Sequence, residues 1–190
     1  NSDSDYLMFA DTDMCWTPDV PEQLIQYDKP IVSALYMGRG GDGKGFPVGM
    51  KWATPEGPNG VNGEGRNMVS LTQSDITGSL LEVGGVGMGC CVIKREVIEA
   101  LATGDGTHPD QWPFAVGQTQ LAHGGYMSLG EDITFCVRAH LVGYRSYLAT
   151  NVPVGHVKSF IIEPPAPESP LAVATLAQVP NFQELSRVDV

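Results

Sequence analysis

Tyr6-Leu7-Met8-Phe9-Ala10-Asp11-Thr12-Asp13 is the stretch on which the reading of this chain turns. An uninterrupted apolar run of this length fits a strand covered on both faces, as in a parallel sheet. Asp11 and Asp13 then stand at its C-terminal end, where open α/β sheets bind their ligands. Carboxylates one residue apart at a strand exit can reach one hard cation and the phosphate oxygens it holds. The plainer role for the same pair is to cap a turn ahead of the next helix.

Outward from that junction, Thr17-Pro18 reads as an N-cap with proline at the first helical position, opening a helix over residues 18–27. Val20, Leu24 and Ile25 or Tyr27 form its apolar face. A second apolar run over 31–37 reads as a strand, so strand, helix and strand make a βαβ unit with parallel pairing and a right-handed crossover. Residues 38–67 are rich in glycine and proline and read as a long surface excursion, with a short hairpin around Met50 to Ala53. Strands are expected at 80–83 and 90–94, flanking the glycine-rich turn 84–89, then a helix over 95–101. Residues 103–127 read as a loop carrying Trp112, Phe114, His123 and Tyr126. A helix follows over 132–142, with Ile133, Cys136, Val137 and Leu141 as its stripe and Gly143 as its C-terminal cap, then a strand over 144–149. The expected organisation is a single α/β portion over 1–162, a proline-rich linker over 163–170 and a tail over 171–190.

Composition narrows the function classes. A formal net charge of −11, with no basic cluster, excludes a nucleic-acid backbone as partner and disfavours an anionic membrane surface. No apolar stretch is long enough for a membrane span. A multivalent cation bridging acidic groups to a phosphorylated ligand suits the charge. The four cysteines, at 15, 90, 91 and 136, lack zinc-ligand spacing and read as reduced thiols of a cytoplasmic protein. Gly38 to Lys44 imitates a phosphate-binding P-loop, but Gly45 stands where Ser or Thr is required, and Phe46-Pro47 does not start a helix.

Three further features accompany the Asp pair. Gly130-Glu131-Asp132 opens the expected helix, where acidic side chains suit the dipole. His156 follows the last expected strand, and the turn at 84–89 permits close backbone approach to a bound molecule. In this order the features resemble one family. The strand ending in Asp11-Thr12-Asp13 is similar to the D-x-D strand of GT-A fold glycosyltransferases, notably the family-two type of bacteria and phages. Residues 83–97 look like the family's glycine loop with its following strand and helix. Glu131-Asp132 looks like its E-D motif and Gly155-His156 like its C-terminal histidine, so the resemblance covers about residues 5–157.

The resemblance implies a partial GT-A (Rossmann-like) mixed sheet flanked by helices, with long Gly/Pro-rich loops. It also implies metal-dependent, inverting transfer of a sugar from a nucleotide-diphosphate sugar to an acceptor hydroxyl. Carried onto this chain, Asp13 and His156 would ligate Mn²⁺ or Mg²⁺, with Asp11 on the ribose or reaching the metal through water. Asp132 would be the general base and Glu131 would orient the acceptor or the loop. Gly84, Gly85 and Gly87 would line the sugar pocket, and Trp112 or Tyr126 would either stack on an acceptor ring or anchor their loop. In the family, βα units upstream of the D-x-D strand hold the nucleotide base; here they are expected from a missing N-terminal half or a partner chain. The other reading from sequence is a non-catalytic structural or carbohydrate-binding module on the same fold. A metal-dependent phosphotransferase or nucleotidyltransferase would share the acidic pair.

Overall fold

A strand buried on both faces must be apolar throughout, and Cys90-Cys91-Val92-Ile93 meets that demand. In the computed structural model, which describes residues 3–39, 45–52, 68–102, 112–120 and 126–157, this run forms a central strand of a five-stranded sheet. The sheet comprises β1 (Tyr6–Ala10), β3 (Ile31–Leu35), β8 (Leu80–Val83), β10 (Cys90–Lys94) and β13 (Ser146–Pro153), in the order β1-β10-β3-β13-β8. β10 lies antiparallel between β1 and β3, β3 and β13 are parallel, and β8 is antiparallel to β13. The architecture is therefore α/β with a mixed sheet.

Helices cover both faces, and alternation along β10 shows how. Cys91 and Ile93 point to the side of α2 (Arg95–Leu101) and α3 (Glu131–Leu141), joining Val97, Leu101, Phe135, Cys136 and Ala139. Cys90 and Val92 point to the side of α1 (Val20–Gln26), joining Val20 and Leu24. All four cysteines are free thiols, and Cys90, Cys91 and Cys136 are buried, as small hydrophobes would be. Burial pushes the Cys90 and Cys136 thiols up to about 11 and the Cys91 thiol well above its ordinary value.

Several expectations need correction. β1 is not a central strand: among the described residues it pairs only with β10, and Leu7 is 41% exposed. The strands β1 and β3 do run in the same direction, but β10 intervenes, so the expected βαβ unit lacks direct pairing. α1 starts at Val20 with Asp19 as N-cap, because Pro21 rather than Pro18 occupies the first turn. In α3 the buried stripe is Thr134, Phe135, Cys136 and Ala139; Leu141 is exposed. Gly143, at φ +100°, ends the helix as expected.

The described parts of the excursion after β3 form strands. β4 (Met37–Arg39) pairs with β5 (Gly45–Pro47), which replaces the helix a P-loop would need. β6 (Gly49–Trp52) pairs on one side with β7 (Met68–Ser70) and on the other with β9 (Gly85–Val86), so Met50 to Trp52 belong to one strand, while Ala53 lies outside the described residues. The expected loop 103–127 contains a strand pair, β11 (Gly117–Gln120) with β12 (Tyr126–Leu129). Asn1–Val157 forms one compact unit, whereas the expected linker 163–170 and tail 171–190 lie outside the described residues. None of the helices in the described residues is long and apolar enough to cross a membrane.

Phe135 is fully buried and stacks on Phe114 with ring centroids 4.5 Å apart; Phe9 meets Phe114 edge-on at 5.0 Å. This column joins α3, the 112–116 segment and β1. Phe135→Ala is expected to lower stability by about 3–5 kcal/mol, measured as a shift of the urea unfolding midpoint at unchanged slope.

Candidate functional site

Strand direction decides which side chains meet. β1, β3 and β13 point the same way, so their C-terminal ends deliver Asp11, Tyr36 and the segment leading to His156 to one edge of the sheet. The opposite direction of β10 places its entry, Gly89, at that same edge, where the Asp11 N–H donates to the Gly89 carbonyl at 2.8 Å. This edge is where α/β sheets bind ligands.

The chain turns at Asp11, closed by the Met14 N–H on the Asp11 carbonyl, and enters β2 (Met14–Cys15). β14 (Gly155–His156) pairs with β2, placing His156 opposite Met14, and the Val157 N–H donates to the Asp13 carbonyl at 2.8 Å. That ribbon brings Asp13 and His156 together across 143 residues, with His156 Nε2 and Asp13 Oδ2 3.2 Å apart. The other ring nitrogen, Nδ1, is 3.0 Å from the Met37 carbonyl. A carbonyl only accepts, so Nδ1 carries the proton and donates. Nε2 is then the ring nitrogen that faces the Asp13 carboxylate. Histidines that ligate metals are commonly oriented by a carbonyl in this way.

Asp132 opens α3, with its Oδ1 accepting the Ile133 N–H at 2.7 Å. Burial raises its carboxyl above the ordinary value; the Ile133 N–H opposes this, and the charges of Glu131 and Asp11 add to it. Glu131 itself is exposed. Asp132 and Asp11 also act on Tyr36, whose phenol is pushed up to about 12, first by burial, with the Gly89 N–H opposing and the two carboxylates adding. Asp11, Asp132 and Tyr36 therefore share one electrostatic neighbourhood. Tyr36 in turn meets His156 edge-on, with centroids 5.4 Å apart.

The glycine turn packs against the protein itself. A Cβ on Gly84 would lie 3.1 Å from the Trp52 ring, and one on Gly85 would lie 3.1 Å from Ile133 Cδ1. One on Gly87 would lie 2.6 Å from Val48 Cγ1 and collide with the Tyr36 hydroxyl. Close approach at these glycines is thus required by side chains of the protein itself. Trp112 is 50% exposed, on a segment fixed by Arg138 of α3 through the Trp112 and Pro113 carbonyls. Tyr126 begins β12, and its side chain lies outside the described residues.

The sequence reading missed Tyr36, Ser33 and the Met37 carbonyl. The first two stand in an apolar strand run, where a hydroxyl is the only signal. Among the described residues, no three His, Cys, Asp or Glu side chains gather as a metal-ligating group, so Asp13 and His156 form a pair.

No protein-family model matches the chain, and no curated protein matches it. Among solved structures, the chain is similar to the crystal structure of A197 from STIV, at 16% identity and a TM-score of 0.37, over 85% of this chain and 70% of that one. The functional reading therefore stands on the site's own geometry.

A carboxyl raised on folding makes the native state bind extra protons at acid pH, so its contribution to stability is lost as pH rises through its folded value. Asp132→Asn removes the ionisation and keeps an oxygen for the Ile133 N–H. The variant should match the parent protein near pH 4 and exceed it in melting temperature at about pH 7, in thermal denaturation followed across that range.

Proposed function

We propose that this chain is the catalytic portion of a metal-dependent GT-A type glycosyltransferase, moving a sugar from a nucleotide-diphosphate sugar to an acceptor hydroxyl with inversion. One observation carries the reading: the Asp13 carboxylate and the Nε2 face of His156 converge at 3.2 Å while the opposite ring nitrogen is anchored on a backbone carbonyl. A mixed carboxylate–imidazole pair suits Mn²⁺ as well as Mg²⁺. Such ions keep waters and substrate phosphates in their remaining positions, so two protein ligands are enough. When bound, the ion would neutralise the diphosphate leaving group as a Lewis acid.

The chain's own residues divide the remaining work. Asp132, raised by burial towards the working range of a base, takes the proton of the acceptor hydroxyl. Its seat at the start of α3 fixes the carboxylate against the Ile133 N–H. Asp11, tied through its backbone to Gly89, faces the ribose or the ion's water shell. The exposed Glu131 orients the acceptor, and Trp112 offers a ring for a sugar to stack on.

Isothermal titration of the full chain with Mn²⁺ and nucleoside diphosphates tests the reading. Asp13→Asn and His156→Ala should each weaken Mn²⁺ binding by about tenfold or more. Asp132→Asn should bind Mn²⁺ within about twofold of the parent yet transfer sugar about 10²–10⁴ times more slowly. Absence of metal-dependent nucleotide binding would overturn the enzyme reading in favour of a non-catalytic module. Transfer of phosphate or nucleotide instead of sugar would reassign the reaction.

A further inference from the structure

The turn that carries Gly89 has no regular pairing of its own over 87–89, yet it supplies the backbone partner of Asp11. Two hydroxyls from the chain around β3 hold it. The Ser33 hydroxyl, fully buried, has one proton to donate, and its nearest acceptor is the Gly87 carbonyl at 3.0 Å, with the Ala34 and Cys90 carbonyls at 3.2 and 3.3 Å as competitors. Within the turn, the Gly89 N–H donates to the Tyr36 hydroxyl oxygen at 3.1 Å. Tyr36 is only 5% exposed, so its hydroxyl serves the protein interior.

Tyr36 has a second contact of a different kind. Its ring stands nearly perpendicular to the His156 ring, at 87°. With Nδ1–H on the Met37 carbonyl, the one residue after Tyr36, this edge-on contact fixes the plane in which Nε2 faces Asp13. Space around the hydroxyl is closed as well: a Cβ on Gly89 would come within 3.1 Å of the Tyr36 hydroxyl and 3.2 Å of Asp11 Oδ2.

We propose that Tyr36 is the positioning residue of this site, its hydroxyl setting Gly89 and thereby Asp11, and its ring setting the plane of His156. The proposal rests on the metal reading only for what the site binds. Ser33 secures the Gly87 end of the turn, and Tyr36 secures the point in the turn that touches the acidic strand end. A single side chain thus keys the Asp11 half of the site to the His156 half.

Two substitutions separate its two contacts. Tyr36→Phe keeps the ring and loses the acceptor for the Gly89 N–H; Tyr36→Leu loses both. Each is made in the full chain and checked for folding by thermal denaturation. Mn²⁺ alone is the probe, followed by the loss of the free-ion paramagnetic resonance signal. The ring ¹⁵N shifts of His156, measured without metal, report whether the proton stays on Nδ1. Mn²⁺ affinity should fall about 3- to 10-fold in Tyr36→Phe, the effect of one ordinary hydrogen bond, with the His156 tautomer retained. In Tyr36→Leu it should fall about 10- to 100-fold, with the tautomer preference lost. Folded Tyr36→Phe and Tyr36→Leu with parental affinity and an unchanged His156 spectrum would overturn the positioning role. A parent protein that binds no Mn²⁺ would sink the metal reading alone, because the metal-free His156 spectrum still decides the role of Tyr36.

Discussion

The site depends on β10 running against both of its neighbours. Had it run with β1 and β3, its entry would lie at the far edge of the sheet, and Gly89 would not meet Asp11. The reversal puts one glycine turn and three strand ends at a single edge, with no long connection to order. It also explains why β10 is apolar throughout: it is the strand through which α1 on one face and α2 and α3 on the other share a core. The same residues that exclude water from the core therefore set the position of the turn.

Much of this was legible in the sequence, and the reasons separate cleanly. The strand runs at 80–83 and 90–94, the helix over 95–101 and the cap at Gly143 were readable because local patterning determines them. Strand neighbours were not, since an apolar run states that a strand is covered and not by what. β1 looked central for that reason, yet three of its residues are half-buried and two, Leu7 and Ala10, are exposed. The stripe of α3 shifted towards Phe135 and Ala139 because a flat pattern of apolar residues surrounds that helix, and the Phe9–Phe114–Phe135 column selected the face.

Candidate site residues divide in the same way. Asp11, Asp13, Asp132 and His156 are recognisable by type and place, whereas their supports are not. Ser33 and Tyr36 act through hydroxyls inside a buried run, and Met37 through a carbonyl that every residue possesses. The glycines were visible, but the side chains that face them were not. At Gly87 a methyl group would strike Tyr36 and Val48, so the small residue serves packing within the protein. A glycine-rich turn beside acidic residues is thus ambiguous until its facing side chains are known.

Asp11 and Asp13 look equivalent in the sequence, and the backbone makes them different. On an extended chain two residues one apart would project to the same side, as one clamp. Here the turn closed between Asp11 and Met14 breaks that relation. Asp11 belongs by its N–H to the glycine turn, and Asp13 belongs by its carbonyl to the ribbon bearing His156. Beyond that short turn, each carboxylate is therefore held by a separate part of the fold. What joins those parts is the Tyr36 side chain, hydrogen-bonded to one and packed against the other. A residue of β3's continuation, far from the acidic pair in sequence, thus contacts both of those parts.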